Sequence, residues 1–219
     1  TKLESLAAEL RTAHGVAVEA RDRDLTVPGA AARLTLALKE RQIKIDLLVN
    51  NAGFGARGRF WDLPLDRQSE MVRLNVVALV ELTHLLLPSM VAERRGAIIN
   101  VSSMSGFQPM PYTSIYGATK AFVTSFSEGL AEELRPFGVK VVTLCPGGTR
   151  TNFHQASAWG PWRSPGGMQA PEEVVEEALR ALDRGGVVVP RLLNKLSIFA
   201  ERLVPRRLVT RVTARMFRV

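Results

Sequence analysis

The sequence predicts an α/β domain with a doubly wound parallel sheet, covered by helices on both faces. Three observations carry that expectation. Short apolar runs alternate with longer segments of helical periodicity. The runs are apolar throughout, as strands buried on both faces are. Polar and glycine-rich residues gather where the runs end, which is where such sheets bind ligands. The 219 residues suffice for one domain, 1–219, and no linker, repeat or low-complexity segment divides them.

Taken in order, Leu3, Leu6, Ala7 and Leu10 recur at helical spacing. Val16 to Ala20 reads as a strand running to Asp24, and Pro28 introduces a helix over 28–42. Ile45 to Val49 is a compact apolar strand ending in Asn50-Asn51-Ala52-Gly53. A long helix over 66–92 carries apolar positions at 71, 74, 77, 78, 82, 85 and 86. Ala97 to Val101 is a buried-type strand closed by Ser102-Ser103, and 113–135 is a helix that Pro136 ends. Val139 to Leu144 is a strand leading into Cys145-Pro146-Gly147-Gly148. Trp159, Pro161, Trp162, Pro165, Gly166 and Gly167 mark a loop. Pro171 then opens a helix through Leu182, and Gly186 to Pro190 makes a last strand.

Composition excludes several classes. Hydrophobic residues make up 46% and charged residues 23%, which is globular rather than disordered. The single cysteine, Cys145, excludes a disulfide scaffold and a cysteine-based zinc site, and it reads as an inert buried residue. His14, His84 and His154 are scattered without metal-ligand spacing, so no metal is expected. No apolar run is read as a membrane span and no leader is seen, which points to an intracellular, cytoplasmic protein. The net charge of +8 is concentrated in 185–219, which hold eight Lys or Arg against Glu201 alone. The high pI therefore belongs to a tail, and no nucleic-acid partner is inferred from it. Asn100-Val101-Ser102 matches a glycosylation sequon, but it lies in a core strand.

The sharpest local feature is Tyr116-Gly-Ala-Thr-Lys120. Four-residue spacing sets the phenol and the amine on one helical face, a turn apart. A phenol near pKa ~10 is a poor base at neutrality, and a nearby ammonium lowers it by roughly 1–3 units. On sequence alone the pair also fits an exposed Tyr beside a surface Lys. Ser103 ends a strand ahead of Tyr116, and a serine there could hold a carbonyl oxygen or a hydroxyl. Asn75, inside Leu74-Asn75-Val76-Val77, fits a satisfied buried amide as well.

Together these residues resemble the short-chain dehydrogenase/reductase family. The resemblance spans Asp24-Leu25, Asn50-Asn51-Ala52-Gly53, Asn75, Asn100-Val101-Ser102-Ser103, Tyr116 with Lys120, and Pro146-Gly147 with Thr149 and Thr151. It implies a Rossmann-type fold and hydride transfer between NAD(P)(H) and a carbonyl or alcohol. In that reading Tyr116 is the general acid/base and Ser103 steadies the reacting oxygen. Lys120 depresses the Tyr116 pKa and holds the nicotinamide ribose. Asn75 holds a water that extends the relay. Asp24 and Leu25 meet the adenine, and Asn51, Ala52 and Gly53 line the adenosine ribose. Pro146, Gly147, Thr149 and Thr151 cover the nicotinamide, and a loop from Asn152 to Gln169 closes over the substrate. The cofactor is NADP or NAD, with a lean to NADP from the relatives. Relatives associate through the two long helices, so a homodimer or homotetramer is expected.

The family's glycine-rich loop should follow a first strand and open a helix, and no such segment occurs. Gly53-Phe54-Gly55 with Gly58 has the spacing but comes after the Asn-Asn-Ala-Gly strand. Relative to the family, the sequence lacks an N-terminal glycine-rich βαβ unit of roughly thirty residues. Two strands would be missing between 16–24 and 45–50, a gap of about 14 Å at ~4.8 Å per strand. The 219 residues are expected to be a fragment, to bind dinucleotide weakly and to be marginally stable. The alternative function is a cofactor-free remnant, serving as an interaction module or at a membrane surface.

Residues 192–219 are basic and amphipathic. Leu208, Val212, Met216 and Val219 share one side, and Arg207, Arg211, Arg215 and Arg218 recur on another. Such a tail docks on its own body, on a partner subunit, or peripherally on an anionic membrane. Phe107, Met110, Trp159 and Trp162 suggest an apolar pocket for the small-molecule carbonyl or alcohol. Steroid, retinoid, fatty-acyl and small ketone substrates all stay open.

Overall fold

The computed structural model describes residues 1–153, 157, 159 and 167–218. His154, Pro161, Trp162, Pro165, Gly166 and Val219, singled out above, lie outside the described residues, as does much of the expected closing loop. Four strands form one parallel sheet in the order β1 (Leu47–Asn50), β2 (Ala97–Val101), β3 (Lys140–Leu144) and β4 (Gly186–Val188).

Successive residues of each strand feed opposite faces. Ile98 and Val141 pack with Met90, Leu134 and Val139 on one side. There the cover is the helix run α3 (Leu65–Val72), a π-helical turn (Arg73–Ala78) and α4 (Leu79–Glu93), together with α5 (Ser114–Leu134). Ile99, Val142 and Leu144 pack with Val174, Ala178 and Ala181 on the other side, under α6 (Pro171–Arg180). Burial on both faces is why these strands read as unbroken apolar runs.

By length and apolarity, Leu65–Glu93 could cross a membrane, contrary to the expectation that no segment would. In the fold one side of it packs on the domain. Met71, Asn75, Leu79, Leu82, Thr83 and Met90 are buried along it.

The expected strand over 16–24 does not form. Residues 15–24 have no regular structure, and α1 (Lys2–His14) and α2 (Ala30–Glu40) flank them. A strand needs a neighbour for its N–H and C=O groups. β1 is the outermost strand of the sheet, and its Val49 is exposed. With no strand beside it, the 16–24 segment has no ladder to join. Asp24 does not cap α2 either. Its carboxylate accepts from the N–H of Thr26 at 2.8 Å and the hydroxyl of Thr26 at 2.7 Å, closing a turn, while Gly29 precedes the helix with no side-chain cap.

A buried polar chain ties the strands to the helices. Asn50 Nδ2 donates to Thr83 Oγ1 at 3.1 Å and to Asn100 Oδ1 at 2.8 Å. Asn100 Nδ2 donates to Ser127 Oγ at 2.8 Å. Asn100→Leu leaves Asn50 and Ser127 short of partners in a dry interior. It is expected to cost about 2–3 kcal/mol, read as a fall in the urea midpoint at unchanged slope.

Beyond β4, α7 (Leu192–Leu203) and α8 (Arg206–Phe217) fold back on the domain. Phe217 is buried against Trp159, Tyr116 and Met71. Arg57 holds the end of α8. Its Nε donates to the Phe217 carbonyl at 3.0 Å and its Nη2 to the Arg218 carbonyl at 2.8 Å. A guanidinium there meets the negative end of the helix. The inner side of the tail thus packs on its own body.

Candidate active site

The strand ends converge on a cavity of about 1160 Å³. It is walled by Asn51 and Gly53 after β1, Ser103 after β2, Tyr116 and Lys120 on α5, and Pro146, Gly147, Thr149 and Thr151 after β3. Residues far apart in sequence meet there because parallel strands end at the same edge of the sheet.

Ser102 anchors α5 to β2. Its hydroxyl donates to the Lys120 carbonyl at 2.8 Å and lies 2.7 Å from Thr124 Oγ1. Ser103, next along, sits in extended backbone and accepts from the Ser105 N–H at 3.1 Å. It also hydrogen-bonds Tyr116. Lys120 Nζ donates to the Val101 carbonyl at 2.8 Å and lies 5.8 Å from the centre of the Tyr116 ring.

The electrostatics differ from the sequence expectation. Lys120 was expected to make Tyr116 acidic. Instead burial pushes the phenol up to about 12, opposed only by the hydrogen bond with Ser103. Burial also pulls the Lys120 ammonium down to about 8. Both groups lose water, and desolvation disfavours each charged form. Tyr116 is accordingly a neutral phenol at pH 7, a proton donor rather than a base. Cys145 is fully buried and burial pushes its thiol up to about 11, which keeps it unreactive.

Asn75 lies in the π-helical turn, an irregularity that recurs at functional sites. Its Nδ2 donates to the Phe54 carbonyl at 2.9 Å and to Thr119 Oγ1 at 3.1 Å, and its Oδ1 accepts from the Phe54 N–H at 3.1 Å. Both amide protons are thus spent on the chain itself. The side chain clamps the turn after β1.

The Gly-x-Gly-x-x-Gly spacing at Gly53, Gly55 and Gly58 serves packing. A Cβ on Gly55 would lie 2.5 Å from the Trp159 ring, and one on Gly58 would lie 2.8 Å from Leu63. No helix starts there, and the Gly55 N–H donates to Ser157 Oγ at 2.9 Å. Trp159 in turn stands edge-on to Tyr116, with ring centres 5.2 Å apart, and Phe153 lies 5.6 Å from the same ring. These aromatics close over the phenol.

Not every expected contact is made. Asp24 is exposed, and neither it nor Leu25 reaches the cavity, because their segment has no strand to bring it there. Ala52 does not line the cavity either. Of the residues expected to form an apolar pocket, Met110 and Trp159 line it, whereas Phe107 packs with Cys145, Val189 and Ile198. The sequence reading missed Ser102 as the anchor of α5. It also missed Val209, Thr213 and Phe217 as a wall. The apolar spacing of α8 marked a docked helix but not what it would dock against.

The donor set fits a nicotinamide nucleotide at its nicotinamide end. Lys120 has three N–H bonds and gives one to Val101, leaving two on the cavity wall. Gly53 and Gly147 bring bare backbone to that wall. A Cβ would lie 2.9 Å from Asn75 Oδ1 at the first and 2.9 Å from Asn194 Nδ2 at the second.

A parallel α/β sheet with Ser, Tyr and Lys gathered at its strand ends defines a scaffold of the dinucleotide-binding type. The short chain dehydrogenase model matches residues 1–160. The chain belongs to that family. It is 39% identical over 154 residues to serine 3-dehydrogenase of Rhizobium radiobacter, covering 69% of the chain and 59% of the relative. It thus spans less than two thirds of that relative's length. A structure solved to study 7beta-hydroxysteroid dehydrogenase stereoselectivity superposes with a TM-score of 0.83 at 30% identity, covering 97% of this chain and 82% of that one. A short-chain dehydrogenase from Sphingobium yanoikuyae in complex with NADPH gives 0.78 at 36% identity, covering 92% and 81%.

Proposed function

We propose that this chain forms the catalytic part of an NADP(H)-dependent oxidoreductase that interconverts a carbonyl and an alcohol. The observation that carries the reading is the meeting of Ser103, Tyr116 and Lys120 on one cavity wall, with the phenol held neutral. The NADPH bound by the similar Sphingobium yanoikuyae enzyme supports the choice of cofactor.

A nicotinamide nucleotide held at this wall would supply the hydride for the carbonyl carbon. As charge builds on the carbonyl oxygen, Tyr116 gives it a proton and Ser103 donates a hydrogen bond to it. The Lys120 ammonium would offer its remaining N–H groups to the nicotinamide ribose. Asn51 and Gly53 would hold the adenosine ribose side of the nucleotide, and Pro146, Gly147, Thr149 and Thr151 its nicotinamide side. Asn75 is a positioning residue acting through Phe54.

Association of copies through α3–α4 and α5 would cover their exposed Val72, Val77 and Phe122. Phe122 and Phe126 stack there with ring centres 5.8 Å apart.

The test is deuterium transfer from labelled NADPH to a panel of apolar and small polar ketones, followed by mass spectrometry of the alcohols on the complete protein. Label in an alcohol supports the reading. Nucleotide binding without label in any alcohol overturns it.

A further inference from the structure

The outer side of α7 carries a row of large apolar side chains. Leu192, Leu196, Phe199 and Leu203 follow at spacings of four, three and four, so they share one helical face. Their exposure runs from 55% to 73%. One step round the same helix, Leu193 and Ala200 line the cavity. The row therefore adjoins the cavity wall rather than lying remote from it.

The charge on α7 and α8 is predominantly positive, with Glu201, half-buried at the cavity, as the one acid on the two helices. Lys195 and Arg202 lie on α7, and Arg206, Arg207, Arg211 and Arg215 lie on α8. Among the described residues none of these six forms an ion pair. A second copy of the chain on this face would set two arginine-rich segments against each other, which like-charge repulsion opposes. A nucleic acid would satisfy the arginines but offer nothing to Leu and Phe. An anionic lipid surface meets both needs, since its headgroups pair with guanidinium groups and its acyl boundary accepts apolar side chains.

We propose that α7 and α8 dock the protein on an anionic membrane surface, with the Leu192–Leu196–Phe199–Leu203 row entering the acyl boundary beside the cavity. This placement gives a lipid-dissolved ketone or alcohol a short path to the cavity. Only that consequence rests on the catalytic reading above.

The experiment is co-sedimentation with phosphatidylcholine vesicles, with and without phosphatidylglycerol. The expected result is pelleting with the anionic vesicles alone, weakened by salt. L196D/F199D is expected to lower vesicle partition about tenfold or more, and so is R207Q/R211Q/R215Q. Should the first variant melt early, the arginine variant still decides. Tyr116→Phe is expected to pellet like the parent, so a failure of the catalytic reading leaves this result standing. Absence of pelleting overturns the proposal. So does partition that both variants leave unchanged, or a change of oligomeric state in either, which would make the row a subunit interface.

Discussion

Tyr116→Phe is expected to lower the rate of ketone reduction by about 10²–10⁴-fold, the range for loss of a positioned general acid. Nucleotide affinity and the thermal midpoint are expected to stay close to those of the parent. The reason is geometric. The ring keeps its packing against Trp159 and Phe153, and the lost hydroxyl gives up its hydrogen bond with Ser103. Steady-state kinetics beside a melting curve separate the two effects. An unchanged rate would remove Tyr116 from the chemistry. A rate loss matched by an equal loss of folded protein would make its role structural.

Lys120→Met is expected to abolish turnover while making the nucleotide-free protein more stable at pH 7. Lys120 is buried with one hydrogen bond, to the Val101 carbonyl, and burial brings it down to about 8 from 10.5. The folded protein therefore holds this proton less tightly than the unfolded chain does. Between about pH 8 and 10.5 the unfolded state binds more protons at this site, so the site's contribution to stability rises with pH across that window. At pH 7 the ammonium is retained at a cost on the order of 3–4 kcal/mol, at ~1.4 kcal/mol per pKa unit. Methionine removes that cost and forfeits about 1 kcal/mol of hydrogen bonding, for a net gain of about 2–3 kcal/mol. Urea melts of both proteins across pH 7 to 10 check it. The advantage of the variant should shrink as pH rises, and a variant less stable than its parent at pH 7 would contradict the account. In the parent, ketone reduction should also decline above about pH 8 as Lys120 loses its charge.

This pattern fits a site tuned for function at the expense of stability. The same buried ammonium that weakens the fold supplies free N–H groups on a cavity wall. The Asn50–Asn100–Ser127 chain is the opposite case, because each amide there is partnered and the strands are locked to the helices by it.

Much of the site was legible in the sequence because it is built from local rules. Four-residue spacing on a helix put Tyr116 and Lys120 on one face whatever surrounded them. Apolar runs closed by Asn-Asn-Ala-Gly, Ser-Ser and Pro-Gly-Gly marked strand ends, and parallel strands deliver their ends to one edge. What failed depended on neighbours. Val16 to Ala20 has strand composition, yet a strand exists only where another strand pairs with it, and β1 presents an unpaired edge. Asp24 and Leu25 were displaced with it. Gly53, Gly55 and Gly58 were legible as no phosphate loop, because they follow the wrong strand, but what Gly55 does instead was not: it makes room for Trp159, a contact across more than a hundred residues that no local pattern encodes.

The sequence by itself determined the layered α/β plan and the order of its elements from β1 onward. It also determined the family and which side chains share the helix and strand-end positions of the site. Periodicity and motif spacing are properties of the chain alone. Only the tertiary structure decided the protonation state of the Tyr116–Lys120 pair, the clamp role of Asn75 and the use of α7 and α8 as a cavity wall. Those depend on how much water is excluded and on which distant groups pack together, and burial and contact arise only when the whole chain has folded.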